Sequence, residues 1–303
     1  MDFEEELLKS PIQKLDEDSL ICILSKLPVA DLVRVERVSK SWQEIAKKSW
    51  NNLKKLEFDA EKLGMRPVGT RHEYKKMNGD ALENLLKKCG KYLKEINAPH
   101  KFDFFRDFFN ASIAAKYCKN IQSISFYSAS VDEIEELAEN CTNIKVLSIK
   151  RMYDFKSDEY KKYLGELLSK NRNLRSLELN FKYSKIITAD CLLKAPLNQM
   201  ITLKTSLRGD NMINVLKHTK KLSNFYYRFK HTDEIAVLKG ISIHLNNLTE
   251  IQLISVFINF DFQELDEIMS RIFRSNRQLK SIKLDNFGSI SEKMFSRLEC
   301  KCC

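Results

Sequence analysis

The chain reads as an α/β protein in two parts, a short helical unit at the N-terminus and then a long solenoid in which strands and helices alternate. Three observations lead there. Between Ile12 and Ile45, large apolar residues recur every three or four positions, the spacing that stacks side chains on one face of a helix. Beyond Trp50, the pattern apolar-x-x-apolar-x-apolar returns eight or nine times with helical stretches between the copies. Finally, eight Gly and five Pro in 303 residues are few turn-formers for an all-β chain, while 43% hydrophobic residues suffice for a sizeable core.

In the first part, Leu20, Ile23, Leu24 and Leu27 fall at i, i+3, i+4 and i+7 and predict a helix. Pro28 stops that helix and has the right φ for the first turn of the next, where Leu32, Val35, Val38, Trp42 and Ile45 recur. Fourteen large apolar residues lie between Ile12 and Ile45, more than two or three short helices can cover. Some must meet another surface, either the following domain or a partner.

The order of these residues is specific. Leu15, Asp18, Leu20, Ile23-Leu24-Ser25, Leu27-Pro28, Asp31-Leu32, Val35, Val38-Ser39-Lys40, Trp42 and Ile45 together resemble the F-box over about thirty residues without a gap. Asp16 stands where that family usually has proline, and Ser19 where an aliphatic residue is common; Asp suits a helix N-terminus. The resemblance implies a three-helix module over residues 12–50, behind an N-terminal tail of residues 1–11, that docks on the Skp adaptor of a cullin-RING (SCF-type) ubiquitin ligase. Carried over from the matching positions, the adaptor-facing residues are drawn from Leu15, Leu20, Ile23, Leu24, Leu27, Leu32, Val35 and Trp42, some of which must be internal core.

Residues 51–303 hold the repeats. The apolar triplets are Leu53/Leu56/Phe58, Leu93/Ile96/Ala98, Ile121/Ile124/Phe126, Ile144/Leu147/Ile149, Leu174/Leu177/Leu179, Leu222/Phe225/Tyr227, Leu248/Ile251/Leu253 and Leu279/Ile282/Leu284, with a weaker Leu197/Met200/Thr202 in the longest gap. Their spacing brackets the leucine-rich repeat period. Helical segments are expected at 81–89, 111–118, 131–141, 158–169, 210–218, 232–244 and 262–275. The turns CGKYL, CKNI, CTNI, NRNL and LNNL resemble those of cysteine-containing leucine-rich repeats, although the Asn or Cys expected beyond each triplet is replaced by Ala129, Met152 and Lys182 in three repeats. The expectation is an irregular solenoid of about eight or nine degenerate repeats, with parallel strands on a concave side and helices on the convex side. The register between residues 186 and 207 stays open. Ser289 and Glu292 form a capping box ahead of a last helix that would shield the final strand.

Composition narrows the function. No phosphate loop, His-Glu-x-x-His or Gly-x-Ser-x-Gly motif occurs and the five His are scattered, so no catalytic role, cofactor or metal is expected; the role of a non-catalytic substrate receptor is what the F-box resemblance implies. The first residues lack the pattern of a signal peptide, which sets the expected location as cytoplasmic or nuclear, with no membrane span. Cys22, Cys89, Cys118, Cys141 and Cys191 are expected as small buried hydrophobes, and Cys300, Cys302 and Cys303 as a terminus without assigned chemistry. Charge is uneven: residues 1–60 hold 10 Lys/Arg against 12 Asp/Glu, which leaves residues 61–303 with 41 against 29, or +12. Strand geometry places Tyr127, Lys150, Tyr226 and Arg228 among the residues lining the concave sheet, where two aromatics and two cations suit an acidic or phosphorylated segment of a protein substrate. Two other readings are a plain scaffold, and a nucleic-acid binder using the basic repeats and Tyr226-Tyr227-Arg228. The second is disfavoured because repeat helices are often Lys-rich for solubility.

Overall fold

The computed structural model describes residue 12 and residues 15–58, 71–98, 110–152, 158–181, 189–207, 209–229, 234–255 and 262–287. Three short helices come first: α1 (Glu17–Leu24), α2 (Val29–Val35) and α3 (Lys40–Ser49). Strands and helices then alternate through β1 (Lys55–Glu57), α4 (Arg71–Cys89), β2 (Glu95–Ala98), α5 (Ala111–Tyr117), β3 (Ser123–Phe126), α6 (Val131–Asn140), β4 (Val146–Met152) and α7 (Asp158–Lys170). The series ends with β5 (Ser176–Phe181), α8 (Ala189–Leu193), β6 (Thr202–Thr205), α9 (Gly209–Leu216), β7 (Asn224–Arg228), α10 (Glu234–His244), β8 (Glu250–Ile254), α11 (Phe262–Ser275) and β9 (Ser281–Asp285). The helices fall where the sequence places them, with α4 starting earlier and α8 added.

All nine strands form one parallel sheet in sequence order, each joined to the next by a crossover on the helical side. Register aligns the middle apolar residue of the eight clear triplets with Leu203 of β6: Leu56, Ile96, Ile124, Leu147, Leu177, Leu203, Phe225, Ile251 and Ile282 lie side by side. The first eight are buried against the helices, among them Ile134 and Leu137 of α6 and Leu164 and Leu168 of α7. Because side chains alternate along a strand, the residues between them turn to the opposite, open face. In β9, Ile282 and Leu284 are only half-buried. The capping box at Ser289 and the C-terminal cysteines lie outside the described residues.

One repeat departs from the expected register. The triplet of the sixth is Met200, Leu203 and Thr205 instead of Leu197, Met200 and Thr202, because β6 pairs Leu203 with Leu177 and Thr205 with Leu179; Leu197 is buried in the turn before it. Thr202 lies on the open face beside Ser176. The physical cause is a tight turn at Leu197–Gln199 behind Pro196, which uses up three residues before the strand, and a Thr where the pattern wants an aliphatic side chain. A second departure is Cys22, which is exposed on α1; Cys89, Cys118, Cys141 and Cys191 are buried as expected. Burial pushes the thiols of Cys89 and Cys141 up to about 12, so they stay protonated and inert.

Candidate functional site

Two surfaces are candidates, the N-terminal helical unit and the open face of the sheet. The helical unit is held by its caps. Asp16 caps α1 by accepting the Ser19 N–H at 2.7 Å and the Ser19 hydroxyl at 3.1 Å, so the two departures from the F-box pattern are partners in one cap. These bonds hold the Asp16 carboxyl below the usual carboxylate range. Ser39 caps α3 through the Trp42 N–H, and the Lys48 ammonium pairs with Glu17 to tie α3 to α1. Glu36, almost fully buried, accepts the Trp50 indole N–H at 2.6 Å and pairs with Lys88 of α4, joining the unit to the first repeat.

Of the fourteen large apolar residues between Ile12 and Ile45, only Leu20, Leu24, Leu32 and Ile45 are buried. Leu20, Leu24 and Leu32 thus form the interior that three short helices need. Leu27, Val35 and Trp42 are half-buried, and Leu15 and Ile23 are exposed at 40% and 44%. Val38, 67% exposed, Ile12 and Val33 are also in solvent, and none of them is among the residues carried over from the F-box pattern. Val38 opens the Val-Ser-Lys-x-Trp run, just before the Ser39 cap.

On the open face, Tyr226 and Arg228 share one side of β7, with Tyr226 half-buried and Arg228 exposed. Lys204 lies 6.0 Å from the Tyr226 ring centroid and bonds Glu178 at 2.9 Å, while the Ser148 hydroxyl donates to the same Glu178 at 2.7 Å. Desolvation and a hydrogen bond to Glu250 push the Tyr226 phenol up to about 12. Lys150 is exposed on β4 and Tyr127 is half-buried just past β3. Three strand intervals separate Lys150 from Arg228, roughly 14 Å, so the four residues form two groups instead of one pocket. Lys204, central to the network, was hidden by the uncertain register of its repeat. Among the described residues, no group of His, Cys, Asp or Glu is arranged to hold a metal ion, and no helix is long and apolar enough to cross a membrane.

The fold and this unit define a protein with an F-box-like domain at its N-terminus followed by a leucine-rich-repeat-like solenoid. Residues 17–55 match the family model described as F-box-like. Over 134 residues, the chain is 27% identical to a Caenorhabditis elegans protein named "Putative RNA-binding protein EEED8.10"; the match covers 43% of this chain and 17% of that protein's length. Among solved structures, "Crystal structure of Rad7 and Elc1 complex in yeast" is similar with a TM-score of 0.46 and 13% identity, covering 97% of this chain and 87% of that one.

Proposed function

We propose that the protein is a substrate receptor of a cullin-RING ubiquitin ligase of the SCF type, its F-box-like helices docking on a Skp adaptor and its solenoid holding a protein substrate. The observation that carries this reading is the F-box-like match over residues 17–55 coinciding with a unit that leaves Leu15, Ile23 and Val38 in solvent. Apolar side chains left uncovered on so small a unit mark a protein-binding surface. The receptor itself has no catalytic role; ubiquitin transfer belongs to the rest of the ligase.

The test uses the exposed residues. Ile23→Asp with Val38→Asp should abolish capture of a purified Skp adaptor while leaving the circular dichroism melt unchanged. Leu24→Asp is expected to fail differently, by unfolding the unit. Adaptor capture retained by the folded double variant would remove this reading. On the open face, Tyr226→Ala with Arg228→Ala should lower substrate capture and spare the adaptor, as scored by co-purification under proteasome inhibition.

A further inference from the structure

Away from these two surfaces, the fold gathers charge in a way that composition does not reveal. The residue just before each strand belongs to a row along one edge of the sheet, tied strand to strand by backbone hydrogen bonds. The Lys94 N–H donates to the Lys54 carbonyl at 2.7 Å, Gln122 to Lys94 at 2.8 Å, Lys145 to Gln122 at 2.7 Å and Arg175 to Lys145 at 2.8 Å. The row runs on through Ile201, Ser223 and Thr249 to Lys280. Neighbouring positions are therefore about 4.8 Å apart.

The nine turns feeding this row are residues 51–54, 90–94, 119–122, 142–145, 172–175, 198–201, 220–223, 246–249 and 277–280. They contain eleven Lys or Arg and no Asp or Glu, where an even spread of the chain's 41 acidic residues would leave about five. All eleven cations are exposed, and none has a carboxylate partner among the described residues. Most of the cations on the open face differ in this respect, since Lys55, Lys204 and Lys283 are each paired.

Side-chain amides brace the turns that hold these cations: Asn120 donates to the Lys91 carbonyl at 3.3 Å, Asn247 to Lys220 at 2.9 Å and Gln278 to Asn246 at 3.0 Å. Compensation of helix dipoles explains Lys in the last turns of α4 and α7, but that effect falls off within a turn and does not account for a row on the strand side. The edge has one exposed apolar residue, Ile201, and so lacks the anchors that protein partners use. What it offers is like charge on seven of the nine turns of a rigid frame, with no carboxylate between them, which suits a partner that carries the opposite charge along its length.

We propose that this edge binds the phosphodiester backbone of a nucleic acid, without reading its bases. The Tyr226-Tyr227-Arg228 segment plays no part, because Tyr227 is buried and Tyr226 faces the open sheet.

Fluorescence anisotropy of the full chain tests the proposal, with a labelled single-stranded oligouridylate of about 20 nucleotides and a duplex DNA of the same length as probes. Binding of either probe should fall steeply with salt, and the arm that binds identifies the source of the phosphates. The combination Lys94→Glu, Lys145→Glu, Arg175→Glu should weaken binding more than tenfold and flatten the slope of log affinity against log salt by about two. The combination Lys162→Glu, Lys239→Glu, Arg271→Glu on the helices should leave both unchanged. The proposal is overturned if neither probe binds, if the two triple variants weaken binding equally, or if polyglutamate displaces the probe as well as unlabelled nucleic acid does. Adaptor capture by the edge variant should stay at the wild-type level, which keeps this result separate from the F-box reading.

Discussion

Asn171 and Asn276 occupy the same place in two repeats, at the end of a helix and three residues before the first core residue of the next triplet. Each is almost fully buried and uses both ends of its amide. Asn171 donates to the carbonyls of Cys141 and Leu167 at 2.9 and 2.7 Å and accepts the Ile144 N–H at 2.7 Å; Asn276 does the same with Leu245, Ile272 and Leu248. Removing one amide strands buried backbone groups of the preceding repeat. Asn171→Ala should therefore cost about 2–3 kcal/mol, read as a lower urea midpoint with an unchanged slope. Asp16 makes a pH-dependent contribution. Its carboxyl is held below the ordinary value, so the cap's stabilisation is full above the unfolded-state pKa of about 3.9 and is lost as pH falls through the lower folded-state value. The melting-temperature gap between wild type and Asp16→Ala should be present at neutral pH and close on acidification below that range.

At the scale of one repeat, the sixth is the weak link. The Thr205 hydroxyl is buried without a hydrogen-bond partner among the described residues, at a position where Leu179 and Tyr227 fill the flanking strands. Thr205→Val keeps the shape and removes the unpaired hydroxyl, so it should raise stability by about 1 kcal/mol in chemical denaturation. Packing between repeats sets a different limit at Gly90. A Cβ there would lie 2.8 Å from the Tyr117 carbonyl oxygen of the next repeat, which is backbone and cannot step aside. At Gly165 the nearest atom is the mid-chain Cδ of the exposed Lys194. Gly90→Ala should destabilise by on the order of 1–3 kcal/mol, whereas Gly165→Ala should be neutral or stabilising, since Ala favours a helix interior. The thermal melt of Gly90→Ala should fall, and that of Gly165→Ala should hold or rise.

Across the whole molecule, each strand and helix pair contacts chiefly its neighbours, so stability is shared along the row instead of residing in one centre. Interior strands are covered from both sides, and their triplets are buried to within a few per cent. Among the described residues, the last strand has a neighbouring strand on one side only, with Ile282 and Leu284 half-buried. Amide hydrogen exchange should accordingly be slowest in β3 to β5 and fastest in β9. Equal protection across the sheet would contradict this nearest-neighbour picture.

Local pattern was enough for most of the helices, eight apolar triplets and the F-box resemblance, because periodicity alone dictates which face an amphipathic segment buries, whereas the short α8 carries too few residues to show a period. Leu177 and Ile251 had to be core once their neighbours alternated. The register of the sixth repeat was hidden, since Thr205 breaks the apolar pattern and only pairing with β5 and β7 places it. Periodicity also could not divide the N-terminal apolar residues. Leu20 and Ile23 look alike in sequence, yet one is buried and the other is in solvent, a choice made by where α3 packs. The basic edge belongs wholly to the tertiary structure. Its cations are spread over more than two hundred residues of sequence, and only a parallel sheet in sequential order brings them into one row.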